Sequence, residues 1–284
     1  MGASLLRVAT LTAVVAAIGF AIPPARAQDP ASKKDAGTKD APPAESQESI
    51  QKARELEKKL DAKNKLEATK AIEELGHLAT HTAGVILKDF IHKTSNSEYG
   101  SYAVEALGWA GNKEGVDFLC GSDGARSGRL LIAEAACKAL AKVGEKTAIP
   151  TLLEVIKSSK AVVTCAAIES VVQLDPGAEG LATLLAGMTG NSDDKVRMSV
   201  AEALGSLSSP KAVDALILMT KDQNSLVRMK TCKSLEKLAP AKARKALTDL
   251  MKDKNTEVRT AAEEALKRLP EPDPKDTGAP GTGK

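Results

Sequence analysis

The sequence predicts an all-α fold, an α-solenoid of about seven helical hairpins. Three observations lead there. A pulse of 31 to 33 residues runs through the chain, in which Glu67, Tyr99, Ile132, Val163, Val196, Val227 and Val258 open seven versions of one segment. Leu75, Leu107, Leu140, Val171, Leu204, Leu235 and Leu266 follow eight residues later. A unit of this length is one supersecondary element that cannot bury its apolar face alone, so units must stack.

The second observation is the spacing inside each unit. Counting Val196 and its equivalents as zero, position +4 is Ala71, Ala103, Ala136, Ala167, Val200, Thr231 and Ala262, and position +11 is Leu78, Ala110, Val143, Leu174, Leu207, Leu238 and Leu269. Apolar residues at 0, +4, +8 and +11 share one stripe of a 3.6-period helix. The third is a recurring start signal: position −3 is Asn64, Asn96, Asp193, Asn224 and Asn255 in five units. Side-chain oxygens there accept from the unpaired amides of a first helical turn.

Taken in order, residues 1–27 carry Arg7, an apolar run from Val8 to Ile22, Pro23-Pro24 and Ala25-Arg26-Ala27, the pattern of a secretory signal peptide. The run is too short to span a bilayer comfortably, and no later stretch reaches the roughly 20 apolar residues a membrane helix needs. The expectation is an exported protein, periplasmic or secreted, with no membrane span and a mature start at Gln28. Residues 28–48 are rich in Pro, Ala, Lys and Asp and contain no large apolar residue, the composition of a disordered linker. The solenoid is expected over 49–269, opened by a charged helix from Ser49 to Ala62 around Ile50, Ala53, Leu56 and Leu60.

A second helix precedes each capped one. Asp175-Pro176 and Ser209-Pro210 are expected to open two of these, since proline in a first turn lacks only an amide that would be unpaired anyway. Their apolar positions include Ile149, Leu152, Leu153 and Ile156 in one unit and Val213, Leu216 and Ile217 in another. Position +5 is apolar or Cys until the last unit, where it becomes Glu263, as suits a terminal cap. Residues 270–284 return to Pro and Gly and read as a disordered tail.

Val196-Arg197-Met198-Ser199-Val200-Ala201-Glu202-Ala203-Leu204-Gly205-Ser206-Leu207, followed by Val227-Arg228 and Val258-Arg259, resembles the HEAT repeat family, in its short phycobilisome-lyase-type form. The resemblance implies a right-handed superhelix with the capped helices on its concave side, and scaffold or adaptor roles more often than catalysis. It also implies that Arg197, Arg228 and Arg259 bond the neighbouring unit, with Asp193, Asp222 and Asp253 as candidate acceptors. Units one to four carry Ala68, Gly100, Ala133 and Thr164 there instead, so that ladder stops short of them.

The formal net charge is +3, and losing Arg7 and Arg26 would leave +1. Nucleic-acid binders concentrate Lys and Arg on one face, whereas position +6 reads Glu73, Glu105, Lys138, Glu169, Glu202, Lys233 and Glu264. A protein or peptide partner is expected, and no nucleic acid. Of four cysteines, Cys137 and Cys232 hold the apolar +5 slot and Cys120 a packing position, so core thiols are favoured over a disulfide of Cys137 with Cys165 or Cys120.

Beyond Phe20, every aromatic residue lies between Phe90 and Phe118. Tyr102 and Trp109, seven residues apart at +3 and +10, share a helix face. Either they form an exposed hot spot, beside Tyr99 and Glu105, or they fill a gap against a neighbouring unit. The glycine-rich segment 121–129 holds Arg126 and Arg129, which could attend an anion, although it lacks phosphate-loop spacing and reads more simply as a connection. His77 and His81 are four apart without the glutamate of a zinc-protease motif, and no histidine precedes a glutamate as in the His-Glu pairs of HEAT-like two-iron hydroxylases. No catalytic, cofactor or metal residue is assigned. The expected function is a noncatalytic protein-binding scaffold using its concave face, with Tyr102, Trp109, Tyr99, Glu105, Arg126 and Arg129 as partner-binding residues. The alternatives are a HEAT-type enzyme such as a lyase with unrecognised residues, or a self-associating structural unit.

Overall fold

The computed structural model describes residues 45–61, 64–109, 113–238 and 241–270. The expected signal peptide, most of the linker and most of the tail lie outside them. Among the described residues there are fourteen α-helices and no strand. They are α1 (Gln47–Glu57), α2 (Lys65–Leu78), α3 (His81–Lys93), α4 (Ser97–Trp109), α5 (Lys113–Cys120), α6 (Leu130–Val143) and α7 (Ile149–Ser158). The second half comprises α8 (Ala161–Leu174), α9 (Leu181–Gly187), α10 (Asp194–Leu204), α11 (Pro210–Met219), α12 (Ser225–Leu238), α13 (Arg244–Leu250) and α14 (Thr256–Arg268).

Each odd-numbered helix packs on the even-numbered one that follows, giving the seven expected hairpins. The even helices also pack on one another in unbroken succession from α2 to α14. They are the repeat helices of the sequence pattern, and the pattern tells which face they bury. Positions +4 and +8 are fully buried in the middle units, as at Ala136, Leu140, Ala167, Val171, Val200 and Leu204. Much of this core is alanine, and small side chains let the even helices approach closely. A Cβ on Gly108 would lie 2.8 Å from that of Ala139 on α6. Ser170 and Ser234, buried at such contacts, each donate to the carbonyl of the residue 33 positions earlier, Cys137 and Ala201, at 2.8 Å. Both bonds run from +7 of one repeat to +5 of the one before, so these two pairs of consecutive repeats stack in the same way.

All five expected N-caps form. Asn64 accepts from the Leu66 amide, Asn96 from Glu98, Asp193 from Lys195, Asn224 from Leu226 and Asn255 from Val258. The boundaries differ at three places. The first helix starts at Gln47, capped by Ser46, and stops at Glu57 instead of Ala62. Glu45, expected to be linker, accepts from the Thr82 amide at the start of α3, which ties it to the first hairpins. Asp175-Pro176 opens no helix: Asp175 ends α8 and its carboxylate takes the Gly177 amide at 2.9 Å, a local turn that delays α9 to Leu181. Pro210 does begin α11, but the Ser209 hydroxyl makes no cap bond.

The arginine ladder spans the last three units. Arg197 Nε and Nη2 donate to both carboxylate oxygens of Asp222 at 2.7 and 3.1 Å, and Nη1 donates to the carbonyls of Asn191 and Ser192. Arg228 repeats this with Asp253 at 2.7 and 2.8 Å and with the carbonyls of Asp222 and Gln223. Asp222 and Asp253 each also accept the amide two residues on, Asn224 and Asn255. Arg259 keeps the carbonyl contacts, to Asp253 and Lys254, and turns Nη2 to Thr256. Asp193, the third candidate acceptor, caps α10 instead. The hydrogen bonds of Asp222 and Asp253 raise the affinity of Arg197 and Arg228 for their protons, and Arg228 holds the Asp253 carboxyl below the usual range.

Candidate interaction surface

The even helices bury 0, +4 and +8, so their open face carries −1, +3, +6 and +10, a second stripe at helical spacing. Across α4 that stripe is Glu98, Tyr102, Glu105 and Trp109; across α2 it is Leu66, Lys70, Glu73 and His77. Trp109 is 43% exposed. It is held in place from below, since its ring stacks on His77 with centroids 5.1 Å apart and planes at 21°. Gly76 makes room for it: a Cβ there would meet Trp109 Cε3 and Ala106 Cβ, each at 2.9 Å. Both expectations for Trp109 are thus partly met, because one face of the indole packs against the preceding unit and a large part of the residue stays open.

Tyr102 is half-buried and packs against the core, with its hydroxyl donating to Glu98 Oε1 at 3.0 Å. Lys65 reaches the same oxygen from α2 at 2.6 Å. Burial, together with the bond to Glu98, pushes the Tyr102 phenol up, and Lys65 holds the Glu98 carboxyl down. Glu105 sits half-buried one turn beyond Tyr102 on this stripe. Tyr99 occupies position zero, on the inward stripe, and is half-buried against the core.

The two arginines belong elsewhere. Arg126 reaches α7, pairing with Glu154 at 2.6 Å. Arg129 donates to the carbonyls of Ile91 and Thr94 at the end of α3, at 2.8 and 3.0 Å, so its guanidinium ties two units together. The loop they occupy folds back on α5 and uses its own amides: Gly121 donates to Phe118, Ala125 to Leu119 and Arg126 to Gly121. It is a compact connection, not an open cradle for an anion.

All four cysteines are free thiols. Burial pushes Cys137 and Cys232 up to about 12, while Cys120 and Cys165 are half-buried and raised for the same reason. The histidines diverge. His77 lies 3.9 Å from Glu73, His81 Nδ1 lies 3.1 Å from Glu114, and His92 Nδ1 lies 3.5 Å from Asp123 with its ring edge-on to Phe118. No group of three or more His, Cys, Asp or Glu suited to a metal ion occurs among the described residues, and none of their helices is long and apolar enough to cross a membrane.

Stacked hairpins with an internal ladder and an open helical face define a repeat scaffold of the α-solenoid class. The sequence family described as HEAT repeats matches residues 123–199 and 181–267, and the chain belongs to it. No curated protein matches the sequence. Among solved structures, the chain is similar to the Escherichia coli protein YibA, at 17% identity over 80% of this chain and 99% of that one, with a TM-score of 0.48. It is similar to the complex of CpcE and CpcF of phycocyanin lyase from Nostoc sp. PCC7120, at 17% identity over 84% of this chain and 91% of that one, with a TM-score of 0.44. Human deoxyhypusine hydroxylase is 20% identical over 76% of this chain and 83% of that one, with a TM-score of 0.39. None of these likenesses carries an argument about activity.

Proposed function

We propose that this HEAT-repeat protein is a noncatalytic, exported scaffold that binds a protein or peptide on the open face of its even-numbered helices, the side expected to be concave. The observation that carries the reading is Trp109: a large indole, immobilised on His77 and Gly76 yet 43% exposed, beside the half-buried Tyr102 and Glu105. A preorganised aromatic gives contact area at small entropic cost, which is why tryptophan and tyrosine anchor so many interfaces. Export is supported by the apolar run and small-residue cleavage pattern in residues 1–27. The reading is tested by placing a photo-crosslinking amino acid at Lys142, the +10 neighbour of Trp109 on α6. Discrete adducts from the exported fraction, lost in Tyr102→Ala/Trp109→Ala at unchanged thermal stability, are the expected result. Adducts that persist in that variant, or none at all, would refute it.

A further inference from the structure

Positions +1, +5 and +9 of the even helices face the next repeat. A Cβ on Gly100 (+1) would meet Arg129 and Ile132 at 2.8 Å, the Cys137 carbonyl (+5) accepts from Ser170, and a Cβ on Gly205 (+9) would meet Ser234 at 2.6 Å. On α14 these positions are Arg259, Glu263 and Lys267, one row at four-residue spacing. Glu263 and Lys267 are exposed, and Arg259 is half-buried where Arg197 and Arg228 are 4% and 6% exposed. Two apolar side chains of the same hairpin are uncovered as well. Leu266 is half-buried, although the other six +8 residues are at most 1% exposed. Met251 is 44% exposed, although three residues at its position in earlier units, Ala125, Ile156 and Thr220, are at most 4%.

The ladder therefore ends on an open rung with a known ligand chemistry. The carbonyls of Asp253 and Lys254 hold Nη1 of Arg259 at 2.8 and 3.3 Å, as two carbonyls hold Nη1 of Arg197 at 2.7 and 3.3 Å. On Arg197 and Arg228 the Nε and Nη2 edge then takes both oxygens of an aspartate 25 residues further on. On Arg259, Nη2 bonds only the Thr256 hydroxyl at 2.9 Å, and Nε bonds no described residue. None of the nearby carboxylates fills the place. Asp253 is taken by Arg228 and the Asn255 amide, Glu263 pairs with Lys267, and Asp249 and Glu257 form no ion pair with Arg259. What selects the ligand is the pose of the guanidinium, which matches two others that each hold a carboxylate, and not the sum of charges around it.

We infer that Arg259 is a carboxylate site filled by Asp276 of this chain, with segment 271–276 running back along α14 over Leu266. It goes beyond the preceding reading, since it lies in the last unit and Trp109 in the second. Reach selects the residue. Arg244 donates to the Pro270 carbonyl at 2.6 Å, which fixes where the chain leaves α14. From there to the loop carbonyls that hold Arg259 is a helix rise of about 22 Å. Glu271-Pro272-Asp273-Pro274-Lys275-Asp276 follows, outside the described residues, and its alternate prolines favour an extended path. Six residues at about 3.1 Å each, with an aspartate side chain and a hydrogen bond, span about 24 Å. Asp273, after three residues, reaches only about 15 Å. In this direction Glu271 passes Lys267 and Lys275 comes within reach of Glu263, so the charges alternate in step with the row on α14. Attachment to the same chain gives Asp276 an effective concentration of about millimolar, which favours it over a free partner. A second copy stacked end to end would offer Ala62 where Asp222 and Asp253 stand, and would leave the rung empty.

The test is nuclear magnetic resonance of the full chain carrying isotope-labelled arginine, reading how fast each Nε proton exchanges with water. Nε is the informative atom because Thr256 occupies only Nη2. Arg197 and Arg228 should give slowly exchanging signals in every variant, and Arg259, assigned by its loss in Arg259→Lys, should give a third. In Asp276→Asn the Arg259 proton should exchange about fivefold or more faster, as loss of a hydrogen bond to a charged group implies, with the other two unmoved. Asp273→Asn should leave all three unchanged. An unaltered backbone amide spectrum separates loss of the rung from loss of fold. A fast Arg259 signal in the wild type, or a slow one indifferent to Asp276→Asn, would overturn the inference. Equal acceleration in Asp273→Asn would mean diffuse attraction to the acidic segment, and protection that falls on dilution would mean a second copy; either result would overturn it too.

Discussion

Replacing Asp253 by Ala isolates one rung of the ladder. The Arg228 and Asp253 side chains are 7% and 8% exposed, so the substitution leaves a guanidinium without its carboxylate where water scarcely reaches it. Breaking one partner of a buried pair costs about 3–5 kcal/mol. Here Nη1 keeps the carbonyls of Asp222 and Gln223, which favours the lower end, about 3 kcal/mol. Urea unfolding followed by helical circular dichroism measures it, alongside Arg228→Met and the double variant. Removing both partners should cost less than the sum of the single losses by about 2 kcal/mol, since the second change relieves the charge stranded by the first. Single losses under about 1 kcal/mol, or strict additivity, would refute a structural ladder. Acid gives an independent check. The folded Asp253 carboxyl lies below its unfolded value because Arg228 bonds it. Its contribution is therefore fully present above the unfolded carboxylate range and is lost as pH falls through the folded value. Wild type should lose more stability than Asp253→Ala between about pH 5 and pH 2.

Leu204→Ala, at a fully buried +8 position in a middle unit, should cost about 2–5 kcal/mol, read from the same urea transition. An unchanged midpoint would mean the repeat register is wrong. Thiol modification with a disulfide reagent at about pH 8 should label Cys120 and Cys165 first, since a thiol held near 12 carries almost no thiolate there. Cys137 and Cys232 should react only on unfolding, and rapid labelling of all four would contradict their burial.

The sequence carried most of the fold because the repeat reports one packing solution seven times. Positions 0, +4 and +8 mark the buried stripe, and five Asn or Asp caps mark where helices start, so the hairpins and the last three arginine positions could be placed by counting. Asp175-Pro176 misled because the Asx turn it makes with Gly177 is a local hydrogen bond that competes with a helix start, and composition does not tell the two apart. The stack of His77 on Trp109 was legible in principle, both residues holding +10 in adjacent units. The ties of Arg126 to α7 and Arg129 to α3 were not, because they depend on how an irregular loop folds back, which the repeat does not encode.

The central claim is that the open face of the even helices leaves Trp109 available to a partner, and Trp109 is the only tryptophan in the chain. Its emission maximum and acrylamide quenching, measured in wild type and in His77→Ala, address this without a partner in hand. The structure predicts a red-shifted emission that acrylamide quenches readily, with quenching increased when the stacked imidazole is removed. A blue-shifted, protected signal in a protein shown to be monomeric would place the indole in the core and contradict the account.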